Sequence, residues 1–153
     1  MSKYNFGTKT ARQKFDELLK EFDEFIKNET NISKATNIAT NSWHLIDWVF
    51  EENKAIYNNI GELREDLYPK CDALKLMHDI ANGSKHNNVS RPKAKIKNTD
   101  VYEGDFSNDF CRNDFDVSKL IIELETGETL DFYIEIKKVI NFWEKYLQIQ
   151  NHE

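Results

Sequence analysis

Cysteine, proline and glycine are all scarce in this chain, with two, two and five residues among 153. The two cysteines, Cys71 and Cys111, have neither the number nor the spacing of a zinc ribbon or a disulfide scaffold, so free thiols in a reducing cytoplasm are expected. So few helix breakers leave long uninterrupted segments, and helices should dominate. No run approaches the 18 or so apolar residues that cross a bilayer. The opening Met1-Ser2-Lys3-Tyr4-Asn5 has no apolar core of a secretory signal, so a cytoplasmic location and no membrane partner are expected. Positive charge is also short. Lys and Arg total 21 against 27 Asp and Glu, a formal net charge of −6, which disfavours a protein that coats nucleic acid with its whole surface.

What is present is apolar and aromatic material. Hydrophobic residues make up 39% of the chain and aromatic ones 12%, far more than a disordered chain carries. The length fits one domain spanning 1–153. The fold class expected is mainly α: an N-terminal bundle of about four helices, a small antiparallel β element at about 92–103 and 117–133, and a C-terminal helix packing on the bundle. Ala11, Phe15, Leu18, Leu19, Phe22, Phe25 and Ile26 follow helical spacing and predict a first helix over about 10–27. Ile38, Ser42, Leu45, Ile46 and Val49 predict a second over 33–52, with Trp43, Trp48 and Phe50 adding buried area. A third is expected over 55–67 through Ile56, Ile60, Leu63 and Leu67. A fourth follows over 70–85, with Pro69 in its first turn, where a missing N–H is tolerated.

Beyond His86 the period changes to two. Lys93-Ala94-Lys95-Ile96-Lys97 alternates as a strand does, and 120–125 is a stronger strand. A turn at Thr126-Gly127-Glu128 would return the chain antiparallel over 129–133. Ile136, Val139, Ile140, Trp143, Tyr146 and Leu147 then form a final amphipathic helix. Residues 98–116 are acidic and aromatic without clear period.

The segment with most chemistry is His78-Asp79-Ile80-Ala81-Asn82-Gly83-Ser84-Lys85-His86. Residues four apart share a helical face, so His78, Asn82 and His86 fall on one stripe with Lys85 beside it. His44 and Asp47, three apart on the second helix, can hydrogen-bond and support that stripe. Each residue also has a plainer reading. Asn-Gly at a helix end is a C-cap signal, Lys85 suits the helix dipole, and His44 beside two Trp is an ordinary half-buried histidine. His44, Asp47, His78 and His86 are metal-ligating types, but the His-x-x-x-His pair is missing, and neither a metal nor another cofactor is expected.

Between 85 and 97 lie five basic residues, Lys85, Arg91, Lys93, Lys95 and Lys97, and no acid; the rest of the chain holds 16 basic and 27 acidic residues. On a strand over 93–97 the three lysines would point to one face beside His86. That juxtaposes charge able to hold phosphates with a titrating imidazole. Lysines also protect an edge strand from aggregation, which is the competing reading.

A helix-end Asn82 and His86 in the order Ala81-Asn82-Gly83-Ser84-Lys85-His86, after a helical bundle, resembles the HEPN superfamily over about residues 10–86. The resemblance implies a small helical domain of toxin–antitoxin, phage-defence or CRISPR systems, often a dimeric, metal-independent ribonuclease. The family signature is Arg, usually followed by Asn, His or Asp, then His after four to six intervening residues. Ala81 stands where that Arg would be, so Lys85 or a basic residue of 91–97 would have to supply its charge. The stretch 79–86, following His44-x-x-Asp47-Trp48, is also similar to a family of small bacterial and prophage proteins that implies no activity.

The expected function is therefore binding of RNA or a nucleotide phosphate by a homodimer, with ribonuclease chemistry as its stronger form. His86 would act as general acid or base, Asn82 would orient it, and Lys85 would stabilise developing charge. His78, His44 and Asp47 would support them, with Arg91, Lys93, Lys95 and Lys97 on phosphates. The alternative is a non-catalytic helical interaction or dimerisation module.

Overall fold

Each of the first three helices begins at a side-chain cap in the computed structural model, which describes residues 4–106 and 116–150. Helix α1 spans Ala11–Phe25, and the Thr10 hydroxyl accepts the Gln13 N–H at 3.1 Å. Helix α2 spans Ile32–Glu52, where Asn31 Oδ1 accepts from Lys34 at 2.9 Å. Glu52 at its end takes the Ala11 N–H at 2.7 Å, which ties the end of α2 to the start of α1.

Helix α3 spans Ile60–Leu67 and is shorter than the expected 55–67. Asn53 ends α2 by bonding its side chain to the Val49 carbonyl at 2.7 Å, and Asn59 caps α3 at Glu62, 3.1 Å away. The residues between them form turns, and Ile56 is exposed instead of joining a buried stripe. Helix α4 spans Ala73–His86, so Pro69 lies in the turn before it and not in its first turn.

The chain then forms a three-stranded antiparallel sheet, β1 (Ile96–Tyr102), β2 (Lys119–Leu124) and β3 (Thr129–Asp131), in the order β1-β2-β3. Gly127 takes φ +90° in the turn joining β2 to β3, a left-handed conformation that favours glycine. Helix α5 (Phe132–Gln150) follows β3 directly.

Helix α2 is central, packing on α1, α3, α4 and α5. Its Ile38, Leu45, Ile46 and Val49 are fully buried with Phe15 and Phe25 of α1, Leu74 and Met77 of α4, and Ile136 and Trp143 of α5. Trp143 Nε1 donates to the Ser42 carbonyl at 3.0 Å, so the largest buried side chain also satisfies its one polar atom. The molecule is thus mainly α, with a small antiparallel sheet and a C-terminal helix that closes the bundle. No helix among the described residues is long and apolar enough to cross a membrane.

The sheet begins later than expected. Strand β1 starts at Ile96, Lys95 before it sits at φ +57°, and the register slips between Ile96 and Asn98. Lys93, Lys95 and Lys97 therefore do not share one strand face. Cys71 is a buried free thiol, while Cys111 and the centre of the acidic stretch, 107–115, lie outside the described residues.

Candidate functional site

Helix α4 carries the residues singled out from the sequence, and it runs through Gly83 to His86 without a break. The left-handed cap is one turn further on than expected: Asn87, at φ 56°, gives its N–H to the Gly83 carbonyl at 3.0 Å. Asn82 turns its amide back on its own helix, donating to the His78 carbonyl at 3.0 Å. It is therefore engaged with the backbone of His78 and not with His86. Lys85 and His86 are exposed in the last turn, where the helix dipole favours positive charge.

One turn earlier stands the strongest polar contact in the region. Asp79 is only 4% exposed, and its carboxylate accepts four contacts. The Lys93 N–H reaches its two oxygens at 2.8 and 3.0 Å, the Ala94 N–H reaches Oδ2 at 2.8 Å, and His78 Nδ1 lies 2.7 Å from Oδ1. Burial pushes this carboxyl up, but the bonds from His78, Lys93 and Ala94 outweigh it and hold the group below the ordinary carboxylate range. Because a carboxylate only accepts, Nδ1 of His78 carries the proton in this contact.

This clasp explains the late start of β1. The backbone N–H groups of Lys93 and Ala94 are spent on Asp79, so pairing with β2 begins only beyond them, where the Lys95 carbonyl accepts from Glu125 at 2.9 Å. The basic run is accordingly a pinned loop leading into a strand. Lys97 is neutralised by Glu123 at 2.8 Å. Among the described residues, the side chains of Lys85, His86, Arg91, Lys93 and Lys95 have no ion pair or hydrogen bond, and all five are exposed. A groove of about 760 Å³ runs beside this loop, lined by Asp79, Ser84, Asn87, Asn88, Lys97 and Asn98 among others.

The opposite flank of His78 holds residues that sequence reasoning missed. Its ring stands edge-on to Trp43, centroids 4.8 Å apart, and Tyr68 stacks on the same indole at 6.0 Å. The Arg64 guanidinium lies 5.0 Å from the Trp43 centroid. Arg64 and Tyr68 are four apart, the spacing that puts both on one side of a helical segment, and that spacing was the available signal. From the sequence Trp43 is expected only to add core area or, in an interaction module, to touch a partner, and Asp79 has no assigned role.

His44 and Asp47 do bond, at 3.1 Å, but their side chains are 55% and 47% exposed. No contact among the described residues joins them to Asn82 or His86. His44, Asp47, His78 and His86 do not gather as ligands, and no group of three or more His, Cys, Asp or Glu among the described residues is placed to hold a metal ion. Comparison of this chain with protein-family models, with curated proteins and with solved structures finds no match in any of the three.

Proposed function

We propose that this protein binds RNA through its phosphates, using the basic loop that follows α4. The observation that carries the reading is the set of uncompensated cations at Lys85, in the last turn of α4, and at Arg91, Lys93 and Lys95 in the following loop, which Asp79 pins at the Lys93 and Ala94 amides. A phosphate contact gains from releasing condensed counterions, and a loop already ordered loses little conformational entropy when the ligand arrives. The remainder of the chain is acidic, so the polymer would be confined to this face. The HEPN resemblance points to the same class of ligand and adds a homodimer as the binding form.

The internal bonds of Asn82 and His78 favour binding over catalysis. His86 has no orienting partner among the described residues, and a general base needs one to hold its geometry. Filter binding of single-stranded RNA across a salt series tests the reading. Tight, salt-sensitive retention that falls in a Lys93→Glu/Lys95→Glu double variant supports it, and retention at background for the wild type contradicts it. Incubation of total RNA with chelator tests the stronger form: cleavage by wild type that His86→Ala abolishes would establish a ribonuclease.

A further inference from the structure

The groups packed around Trp43 are rich in donors and short of an acceptor. Arg64 Nε is buried with no hydrogen-bond partner, and among the described residues no carboxylate pairs with its guanidinium. The Tyr68 hydroxyl is also buried without a partner, in a residue only 5% exposed. Orphaned buried donors are rare because each forfeits its hydration for nothing in return. Here two occur on side chains that share one indole. The nearby carboxylate, Asp79, cannot supply the missing acceptor, since its oxygens are taken by His78, Lys93 and Ala94.

We infer that Arg64 and Tyr68, seated on Trp43, form a socket for a phosphate group. A guanidinium presents a fork of N–H donors, which matches the several acceptor oxygens of a phosphate better than a single water oxygen does. The buried Tyr68 O–H, on the ring stacked against the same indole, adds a neutral donor. Arg64 is the most exposed of the three and rests on an aromatic face without a counter-ion, so it is the group an incoming anion meets first. The edge-on His78 ring, held by Asp79, packs on the same indole. This inference stands apart from the basic loop: the socket is built from α2, α3 and α4 and uses none of Lys85, Arg91, Lys93 or Lys95.

The test reads Arg64 itself. In ¹H–¹⁵N spectra of the full chain, titration with inorganic phosphate is expected to shift the Arg64 Nε–H resonance saturably, with a Kd of about 1 mM or tighter. Tyr68→Phe, which keeps the stacked ring and removes one donor, is expected to weaken that response about tenfold. A parallel titration with adenosine monophosphate separates the sources: binding at least about tenfold tighter than inorganic phosphate assigns a nucleotide, and equal binding assigns free phosphate. No saturable shift, or an unchanged response in Tyr68→Phe, overturns the socket and leaves water as the occupant. An equal response to acetate overturns the assignment to phosphate. Because the resonance belongs to Arg64, a chain that shifts it but fails to retain RNA keeps this socket and loses only the proposed function.

Discussion

Asp79 of α4 and Lys93, fourteen residues further along the chain, are joined by a buried carboxylate and a backbone amide 2.8 Å apart. The bond links the helix that carries His78, Asn82 and His86 to the loop that carries the cations. It makes a basic stretch that would otherwise be free coil into a surface of fixed shape.

Asp79→Asn should loosen that surface and destabilise the protein. Asparagine keeps one acceptor oxygen but turns an N–H₂ group toward donors, and hydrogen bonds to a charged group are worth about 1.5–3 kcal/mol each. A loss on the order of 3 kcal/mol is expected in urea unfolding, with faster hydrogen exchange at the Lys93 and Ala94 amides. Unchanged exchange at those two amides would show that the clasp does not hold the loop.

Stability should fall at both ends of the pH scale, through different groups. The folded value for Asp79 lies below its ordinary 3.8, so its contribution is complete above that value and is lost as pH falls through the folded one. Tyr57 and Tyr68 are both pushed from 10.0 up to about 12, mainly by burial, with the Asp66 carboxylate adding to the effect at Tyr57. Their contribution is full below pH 10.0 and is lost as pH rises toward about 12. Urea midpoints measured across the alkaline range should decline, and Tyr68→Phe should flatten the decline.

Gly83→Ala should stabilise the protein by about 0.5–1 kcal/mol, because Gly83 lies inside α4 and not at its cap. A Cβ there meets only Val89 Cγ2 at 3.6 Å, an ordinary contact. Asn87, the residue in the left-handed conformation, should accept glycine and lose about 1–2 kcal/mol on substitution by valine. Thermal melts of the three variants check the order, and destabilisation by Gly83→Ala would contradict it.

Single charge reversals should rank the basic residues. Lys93→Glu and Lys95→Glu remove free cations and should weaken RNA retention most. Lys97→Glu should weaken it less, because Lys97 already pairs with Glu123. Filter binding at one salt concentration is enough to order the three.

The helices were legible because their apolar residues recur at helical spacing and Thr10 and Asn31 are ordinary cap residues. The third helix is shorter than its apolar spacing suggests: Ile56 fits a helical stripe, while the asparagines that stop α2 and start α3 act through side-chain bonds to the backbone. Gly83 is a reasonable place for a cap by residue type, but it stays helical and the left-handed position falls at Asn87, since Asn tolerates that conformation. The site was harder. His78, Asn82 and His86 do fall on one stripe, yet Asp79 binds backbone amides of a distant loop, and backbone donors leave no mark in the sequence. Lys93-Ala94-Lys95 alternates as a strand would, but its amides were already committed. Arg64 and Tyr68 carried a visible spacing, which gains meaning only when Trp43 is placed against them.

The most direct test of the central claim is the RNA dissociation constant measured against salt concentration. Engagement of the four free cations Lys85, Arg91, Lys93 and Lys95 predicts a slope of about −3 for log affinity against log salt, reduced to about half that in Lys93→Glu/Lys95→Glu. A slope near zero, or one that the double variant leaves unchanged, would contradict the account.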